Sequence, residues 1–293
     1  MKVVIAIATA GRPAQMSLTL EQVAKQTAKV DLVVVCPANE RDFEPAAVGH
    51  LGLPIEVVHG TPGLCPQRNA VIEHCRDADL LVFFDDDFYP APDYLAQVTR
   101  LFQEHRDVVV ATNHPVFDGA SGPGIPHDQA VRITDNMTSD PAAALDVSPT
   151  YGGYGCNMVV RAEPVMRHQV RFDERLPLYG WLEDIDFTRR LAPYGRIVKC
   201  RQLQGVHLGI KRGRLKGVRL GYSQLANPYY MVRKGSVAPS FAAKYALRNV
   251  AMNGLRCINP EPWVDRRGRL WGNTLALFDF VRGRLRPDAI LEM

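Results

Sequence analysis

Three consecutive aspartates, Asp85-Asp86-Asp87, follow the apolar run Leu80-Leu81-Val82-Phe83-Phe84 and precede Phe88-Tyr89-Pro90-Ala91-Pro92. An unbroken apolar run of that length reads as a strand covered on both faces, as in a parallel sheet. The carboxylates then fall at the strand's C-terminal end, where open α/β sheets place their ligands. Like charges this close repel one another, and a hard divalent cation with a bound phosphate is the usual reason to keep them together. A second acidic group, Glu183-Asp184-Ile185-Asp186, opens a helix after Gly180-Trp181-Leu182. The helix dipole and free N–H groups stabilise negative charge there, which is also a purely structural reason for acids at that place. Leu182 and Ile185 point toward the core, Glu183 and Asp186 share a face, and Asp184 projects elsewhere. If that direction faces the first cluster, Asp184 could serve as a general base beside a metal-bound phosphate. Trp181 suits the face of a sugar ring, and equally suits a core.

The elements that must position these groups alternate in type. Residues 3–8 read as a first strand, and Pro13 starts a helix running to about residue 27. Strands follow at 31–36 and 55–58, then a helix from Pro66 to about Cys75, the 80–84 strand, a helix over 92–105 and a strand over 108–112. Such alternation predicts a doubly wound α/β sheet. Residues 118–150 are rich in Gly, Pro, Asp and Ser and read as a long binding loop or lid. Tyr151-Gly152-Gly153-Tyr154-Gly155-Cys156-Asn157 leads into a strand at 158–160. A helix over 182–192 and short strands at 196–199 and 202–207 come next, and from Val218 the chain reads as mostly helical.

The 293 residues suffice for one large α/β domain with an extension. The formal net charge of +4 hides an asymmetry: residues 196–293 hold 19 Lys and Arg against 5 Asp and Glu, whereas the first 195 hold 16 against 26. An acidic front suits a metal site, and a basic rear suits an anionic partner or a plain soluble surface. Cysteines 36, 65, 75, 156, 200 and 257 are widely spaced with no C-x-x-C pair, which predicts free thiols in a reducing cytoplasm. The apolar N-terminus is too short for a signal-peptide core and reads as the first strand.

Four ordered blocks resemble the inverting glycosyltransferases of family 2, which have the GT-A fold. Val4-Ile5-Ala6-Ile7-Ala8-Thr9-Ala10-Gly11-Arg12 is similar to their opening strand and donor-binding turn. Arg68-Asn69-Ala70 resembles the Arg-Asn pair before the acidic strand. Phe84-Asp85-Asp86-Asp87 with Pro90 and Pro92 resembles the D-x-D element. Phe172-Asp173-Glu174 through Gly180-Trp181-Leu182-Glu183-Asp184-Ile185-Asp186 resembles the segment with the F-D-E triplet and the E-D pair. The resemblance spans about residues 1–210. It implies that Asp87 binds Mn²⁺ or Mg²⁺ on the donor diphosphate, completed by His207. It also implies that Asp85 and Asp86 lie near the donor's ribose or sugar and the metal's water shell. Thr9, Arg12 and Arg68 would line the nucleotide pocket, Trp181 and Glu183 the acceptor side, and Asp184 would take the acceptor hydroxyl's proton.

One departure stands out. The family's second strand usually ends in an Asp that reads the base, whereas here it ends Val35-Cys36-Pro37-Ala38-Asn39-Glu40-Arg41-Asp42. Glu40 or Asp42 is the candidate substitute, or else a backbone group, and a UDP-sugar is favoured on frequency alone. The resemblance thus implies a GT-A mixed sheet with a Rossmann-like nucleotide-sugar-binding half (1–112) and an acceptor half (113–210), followed by a basic helical extension (211–293). The expected activity is metal-dependent inverting transfer of a sugar from a nucleoside-diphosphate sugar to a hydroxyl of a glycan or lipid-linked glycan. Two other readings stay open: a sugar nucleotidyltransferase, or a non-catalytic carbohydrate or nucleic-acid binder. The first usually needs a Gly-rich phosphate loop with Arg and Lys, for which Ala8-Thr9-Ala10-Gly11-Arg12 is too sparse. Against a nucleic-acid binder, the chain shows neither zinc-finger spacing nor an RNA-recognition signature. The Arg and Trp of the extension suit the edge of an anionic membrane. A cytoplasmic protein touching the inner membrane face is expected, with packing of the extension onto its own domain or a homo-oligomer as the competing use of those aromatics.

Overall fold

A computed structural model describes residues 1–293 except 141, inside the expected 118–150 loop, and 212–215, at the start of the expected extension. The strands appear where apolar runs predict them: β1 (Val3–Thr9), β2 (Leu32–Pro37), β3 (Ile55–Val57) and β4 (Leu80–Asp85). Between them lie α1 (Pro13–Val23) and α2 (Leu64–His74). Then come β5 (Phe88–Pro90), α3 (Tyr94–Glu104), β6 (Val108–Thr112), β7 (Phe117–Asp118), α4 (His127–Asp135), β8 (Val147–Pro149), β9 (Asn157–Arg161) and α5 (Ala162–Arg167). The chain continues through α6 (Glu183–Leu191), β10 (Arg196–Cys200), β11 (Gly205–His207), α7 (Gly217–Lys234), α8 (Pro239–Arg256) and α9 (Arg266–Val281).

Eight strands form one mixed sheet in the order β3-β2-β1-β4-β9-β6-β10-β8. β1, β2, β3 and β4 run parallel, and β9 enters antiparallel between β4 and β6. Register sets Ala8 beside Asp85 and Thr9 beside Pro37, so the C-terminal ends of β1, β2 and β4 coincide. The five apolar residues of β4 are fully buried while Asp85 at its end is partly open, as a strand covered on both faces requires. α3 supplies a core face through Tyr94, Leu95, Val98, Leu101 and Phe102, the spacing of an amphipathic helix. A second, three-stranded sheet has the order β5-β11-β7.

Several expectations need correction. Part of the 118–150 segment is ordered as β7, α4 and β8, and α4 buries Ala130 and Thr134 on one face. α1 stops at Val23 instead of about 27, because tertiary hydrogen bonds take over: Thr27 N–H donates to Pro92 O, and Gln26 binds Ala91 O and Leu95 N–H. The 202–207 strand shortens to β11 because Leu203 N–H turns back onto Cys200 O.

Contacts divide the chain into two compact units. The first, Met1–Pro62, Pro66–Arg171 and Arg190–Gly213, contains both sheets; the second, Gly63–Cys65, Phe172–Arg189 and Arg214–Met293, contains α7, α8 and α9. In the second unit α7 and α9 approach backbone to backbone. A Cβ at Gly221 would lie 2.0 Å from Arg269 O, and one at Gly272 2.0 Å from Val218 O. Glycine there lets the helices close to a distance no side chain permits. Buried amides lock that crossing: Asn273 donates to Gly221 O (2.6 Å), and Asn253 donates to Asn273 and Gln224 (2.9 Å each).

Candidate active site

Three carboxylates, Asp85 at the end of β4 and Asp86 and Asp87 in the turn to β5, meet basic partners, and Arg12 serves both Asp86 and Asp87. Asp86, nearly sealed from solvent, accepts from Thr9 Oγ1 at 2.7 Å and Arg12 Nη1 at 2.8 Å, while its main-chain oxygen accepts from Thr19 Oγ1 at 2.6 Å. Asp85, Asp87 and His207 each offer one donor atom to a group in which the three atoms lie within 4.8 Å of one another, and Asp87 Oδ2 also stands 3.5 Å from Arg12 Nη1. Arg68 Nη2 bonds Asp85 Oδ1 at 3.0 Å and Gly155 O at 2.8 Å. Asp87 Oδ2 accepts from Ile210 N–H at 2.8 Å, and Asp87 Oδ1 stands 3.3 Å from His207 Nε2. Arg12, Arg68 and His207 thereby balance three acids that would otherwise repel one another.

The electrostatics split the cluster. Burial pushes the Asp86 carboxyl up to about 7 against the pull of Arg12. Burial also opposes charge on Asp87, but His207, Arg12 and the Ile210 N–H outweigh it and hold Asp87 well below the usual carboxylate range. Burial alone would lower His207; the Asp87 charge and the hydrogen bonds to Asp118 and Asp87 instead raise it to about 10. Two carboxylate oxygens and one imidazole nitrogen, from buried Asp87 and His207 and the partly open Asp85, fit a divalent cation that accepts mixed oxygen and nitrogen donors.

The structure thus gathers Thr9, Arg12, Arg68, Asp85, Asp86, Asp87 and His207. It adds residues that sequence reading missed. Gln67 Nε2 donates to Thr9 O (3.1 Å) and Cys36 O (2.6 Å), tying the ends of β1 and β2 together. Asp118 Oδ1 lies 2.9 Å from His207 Nδ1, and Tyr154 OH donates to Asp118 Oδ2 at 2.7 Å. These partners are remote in sequence and carry no local motif. Near the end of β2, Asp42 is buried and caps a 3₁₀ turn by accepting from Asn39 N and Nδ2, while Glu40 is exposed.

Trp181, Glu183 and Asp184 belong to the second unit. Leu178, Gly180 and Leu182 all adopt positive φ (59°, 63° and 70°) just before α6. For leucine that conformation costs about 1–2 kcal/mol. Leu182 is held in it by packing among Met231, Val237 and Ala242, with Trp181 partly buried against the same group. Asp186, fully buried, accepts from Lys234 Nζ at 2.8 and 3.0 Å and Ser236 Oγ at 2.6 Å. Asp173 accepts from Lys234 Nζ at 2.6 Å and Tyr230 OH at 2.8 Å. Glu183 is buried, whereas Asp184 is only partly so and accepts from Ile185 N–H at 2.7 Å. Of the helix's three acids, Asp184 is therefore the one with solvent access.

The sequence matches the family model described as glycosyl transferase family 2 over residues 4–167. The chain belongs to that family, and its α/β architecture is the GT-A fold. Asp184 and His207 lie beyond the matched span. Similar solved structures include the mannosyltransferase PcManGT from Pyrobaculum calidifontis in complex with GDP-Man and Mn²⁺, at 17% identity and a TM-score of 0.58, covering 99% of this chain and 84% of that one. TarS 1-349 of S. aureus in complex with UDP-GlcNAc is similar at 16% identity and 0.59, covering 99% and 83%. GalNAc-T7 with UDP, GalNAc and Mn²⁺ is similar at 12% and 0.59, covering 97% and 59%. No curated protein sequence matches the chain.

Proposed function

We propose that the chain is a metal-dependent, inverting glycosyltransferase that moves a sugar from a nucleoside-diphosphate sugar to a hydroxyl of a glycan or lipid-linked glycan. The observation that carries this reading is the convergence of Asp85, Asp87 and His207 donor atoms within 4.8 Å, on a family 2 chain whose structural relatives include complexes with GDP-Man and UDP-GlcNAc. A divalent ion held by those three residues, Mn²⁺ or Mg²⁺, would neutralise the charge that builds on the leaving diphosphate. Arg12, bound to Asp86, and Arg68, bound to Asp85, fix the acids in place and keep positive charge beside the donor site. Asp184 takes the proton from the attacking hydroxyl. A single displacement from the face opposite the leaving group inverts the anomeric centre without a covalent intermediate. Residues 1–112 serve the donor, 113–210 the acceptor, and 211–293 form the extension. UDP is the favoured nucleotide.

The extension offers a contact surface for an anionic inner leaflet. Trp271, Phe278 and Val281 are 57%, 52% and 84% exposed and recur at near-helical spacing on α9. The Arg282 guanidinium lies 3.8 Å from the Phe278 ring centroid. Such a mixture suits a lipid headgroup boundary. Sedimentation with anionic vesicles should fall on adding salt and in Trp271→Ser/Phe278→Ser; equal sedimentation of the variant would remove this part of the reading.

The activity test is a thermal-shift panel of UDP, GDP, dTDP and their sugars, each with Mn²⁺ and with chelator, on wild type and Asp87→Asn. A shift for one nucleotide that needs metal and is lost in Asp87→Asn is expected. A nucleotide shift indifferent to chelator would overturn the metal dependence.

A further inference from the structure

We propose that Asp118 is a positioning residue for the metal centre: it holds the His207 imidazole so that Nε2, not Nδ1, is turned to Asp87 and Asp85. This rests on the metal-centre reading above, and goes beyond it by assigning a role to a residue outside the D-x-D element and the E-D pair.

In the three-stranded sheet, β7 and β11 pair in parallel with His207 beside Asp118. Asp118 Oδ1 meets His207 Nδ1 at 2.9 Å, while His207 Nε2 is 3.3 Å from Asp87 Oδ1. The imidazole therefore lies between two carboxylates, one on each ring nitrogen. When a cation takes the place of the Nε2 proton, a carboxylate on Nδ1 holds the remaining proton there and makes Nε2 a stronger donor.

Asp118 is itself held. Its Oδ1 also accepts from Ala120 N–H at 2.8 Å, and its Oδ2 from Tyr154 OH at 2.7 Å. The Tyr154 ring stands edge-on to His207, centroids 6.4 Å apart. The backbone behind it is closely packed. Gly119 N–H donates to His207 O at 2.8 Å, and a Cβ on Gly119 would come within 2.1 Å of Leu208 O. Gly209, just past β11, closes the same contact from the other side, with φ +67°, and a Cβ there would lie 2.1 Å from Gly119 C. Leu208 N–H donates to Asp87 O at 2.9 Å. One run of backbone, 207–210, thus fastens to both Asp87 and the 118–120 turn. The two acids flanking His207 share a single rigid reference. A carboxylate needed only as a surface group would not require this.

The test uses the full chain and Mn²⁺ alone, with affinity read by electron paramagnetic resonance titration. Asp118→Ala should weaken Mn²⁺ binding by about 10- to 100-fold, the usual effect of removing such a partner. Asp118→Asn, which keeps an acceptor but not the charge, should lose less, and Tyr154→Phe less again. Thermal melts within a few degrees of wild type establish that the variants fold. A second readout is independent of metal. In ¹⁵N-histidine spectra of the metal-free protein, a low-field Nδ1–H resonance assigned through His207→Gln should be present in wild type and absent in Asp118→Ala. Wild-type Mn²⁺ affinity in Asp118→Ala, with Asp87→Asn abolishing binding, would overturn the positioning role and leave the metal centre standing. Mn²⁺ binding that survives Asp87→Asn, or no binding by wild type, would overturn the metal-centre reading and this inference with it.

Discussion

Lys234 makes a demanding test of how the second unit is held together. Its ammonium is shared by Asp186, which is fully buried, and Asp173, which is half-buried. Lys234→Met keeps the side-chain stem and deletes the charge that both aspartates share, while Ser236 Oγ still donates to Asp186. Breaking a buried pair from one side costs about 3–5 kcal/mol. A second route to the magnitude exists, because the buried carboxyl can escape by taking a proton. Forcing a proton onto an aspartate that titrates near 3.9 when unfolded costs about 4.2 kcal/mol at pH 7 and about 1.5 kcal/mol at pH 5, at 1.36 kcal/mol per unit. The two routes agree at neutral pH. In the variant the folded state then binds a proton that the unfolded state lacks, so its stability falls as pH rises. The wild type behaves oppositely at Asp173. Burial opposes that charge, but Lys234 and Tyr230 outweigh it and depress the pKa, so this contribution is full above the unfolded carboxylate pKa and lost as pH falls through the folded one. All three tryptophans, Trp181, Trp263 and Trp271, lie in this unit. Urea unfolding followed by tryptophan fluorescence at pH 7 and pH 5 therefore reads it directly. The expected loss is about 4 kcal/mol at pH 7 and less than half that at pH 5, with partial recovery in Lys234→Met/Asp186→Leu. A loss under about 1 kcal/mol at pH 7, or one independent of pH, would refute the reasoning.

Gly272→Ala places a methyl 2.0 Å from Val218 O and 2.7 Å from Tyr222 N, and should cost about 1–3 kcal/mol in the same fluorescence assay. Gln169, at φ 50°, ends α5 with Val170 N–H bonded to Val165 O and Gln169 N–H to Met166 O, the arrangement that favours glycine. Gln169→Gly should therefore stabilise the first unit by about 1 kcal/mol, read by far-ultraviolet dichroism in urea. Five of the six cysteines are buried and Cys257 is not; burial also raises Cys36 to about 11 and Cys75 to about 12. A thiol titration of native protein at pH 8 should show one fast equivalent, lost in Cys257→Ser.

The part of the site that was legible in the sequence is the part built locally. A fully apolar run ending in acids has few structural meanings, and β4 with Asp85, Asp86 and Asp87 is where that pattern put it. Thr9, Arg12, Arg68 and His207 came instead from resemblance, since nothing in their own neighbourhoods distinguishes them. Asp118 and Tyr154 were out of reach: Asp118 is 89 residues from His207 and stands in a two-residue strand inside a segment read as loop. α4 escaped because only Ala130 and Thr134 of its nine residues are buried, too thin a stripe to register as periodicity. β5 hid behind Pro90 and Pro92, which argue against a strand unless a partner such as β11 is already known.

The order of strands in the smaller sheet has a consequence for how the chain comes to life. β11 sits between β5 and β7, yet it is made last, and its hydrogen bonds reach back 89 residues to Asp118 and, just past it, 123 residues to Asp87. Until it arrives, β5 and β7 have no common neighbour, and the aspartates of the β4–β5 turn lack their imidazole. A nascent or truncated chain ending before residue 205 carries the acids without the site. A cation cannot template early folding here. Bound at the proposed centre, it would stabilise only the fold in which β11 is already paired, by about 2.7 kcal/mol at a hundredfold excess over its dissociation constant.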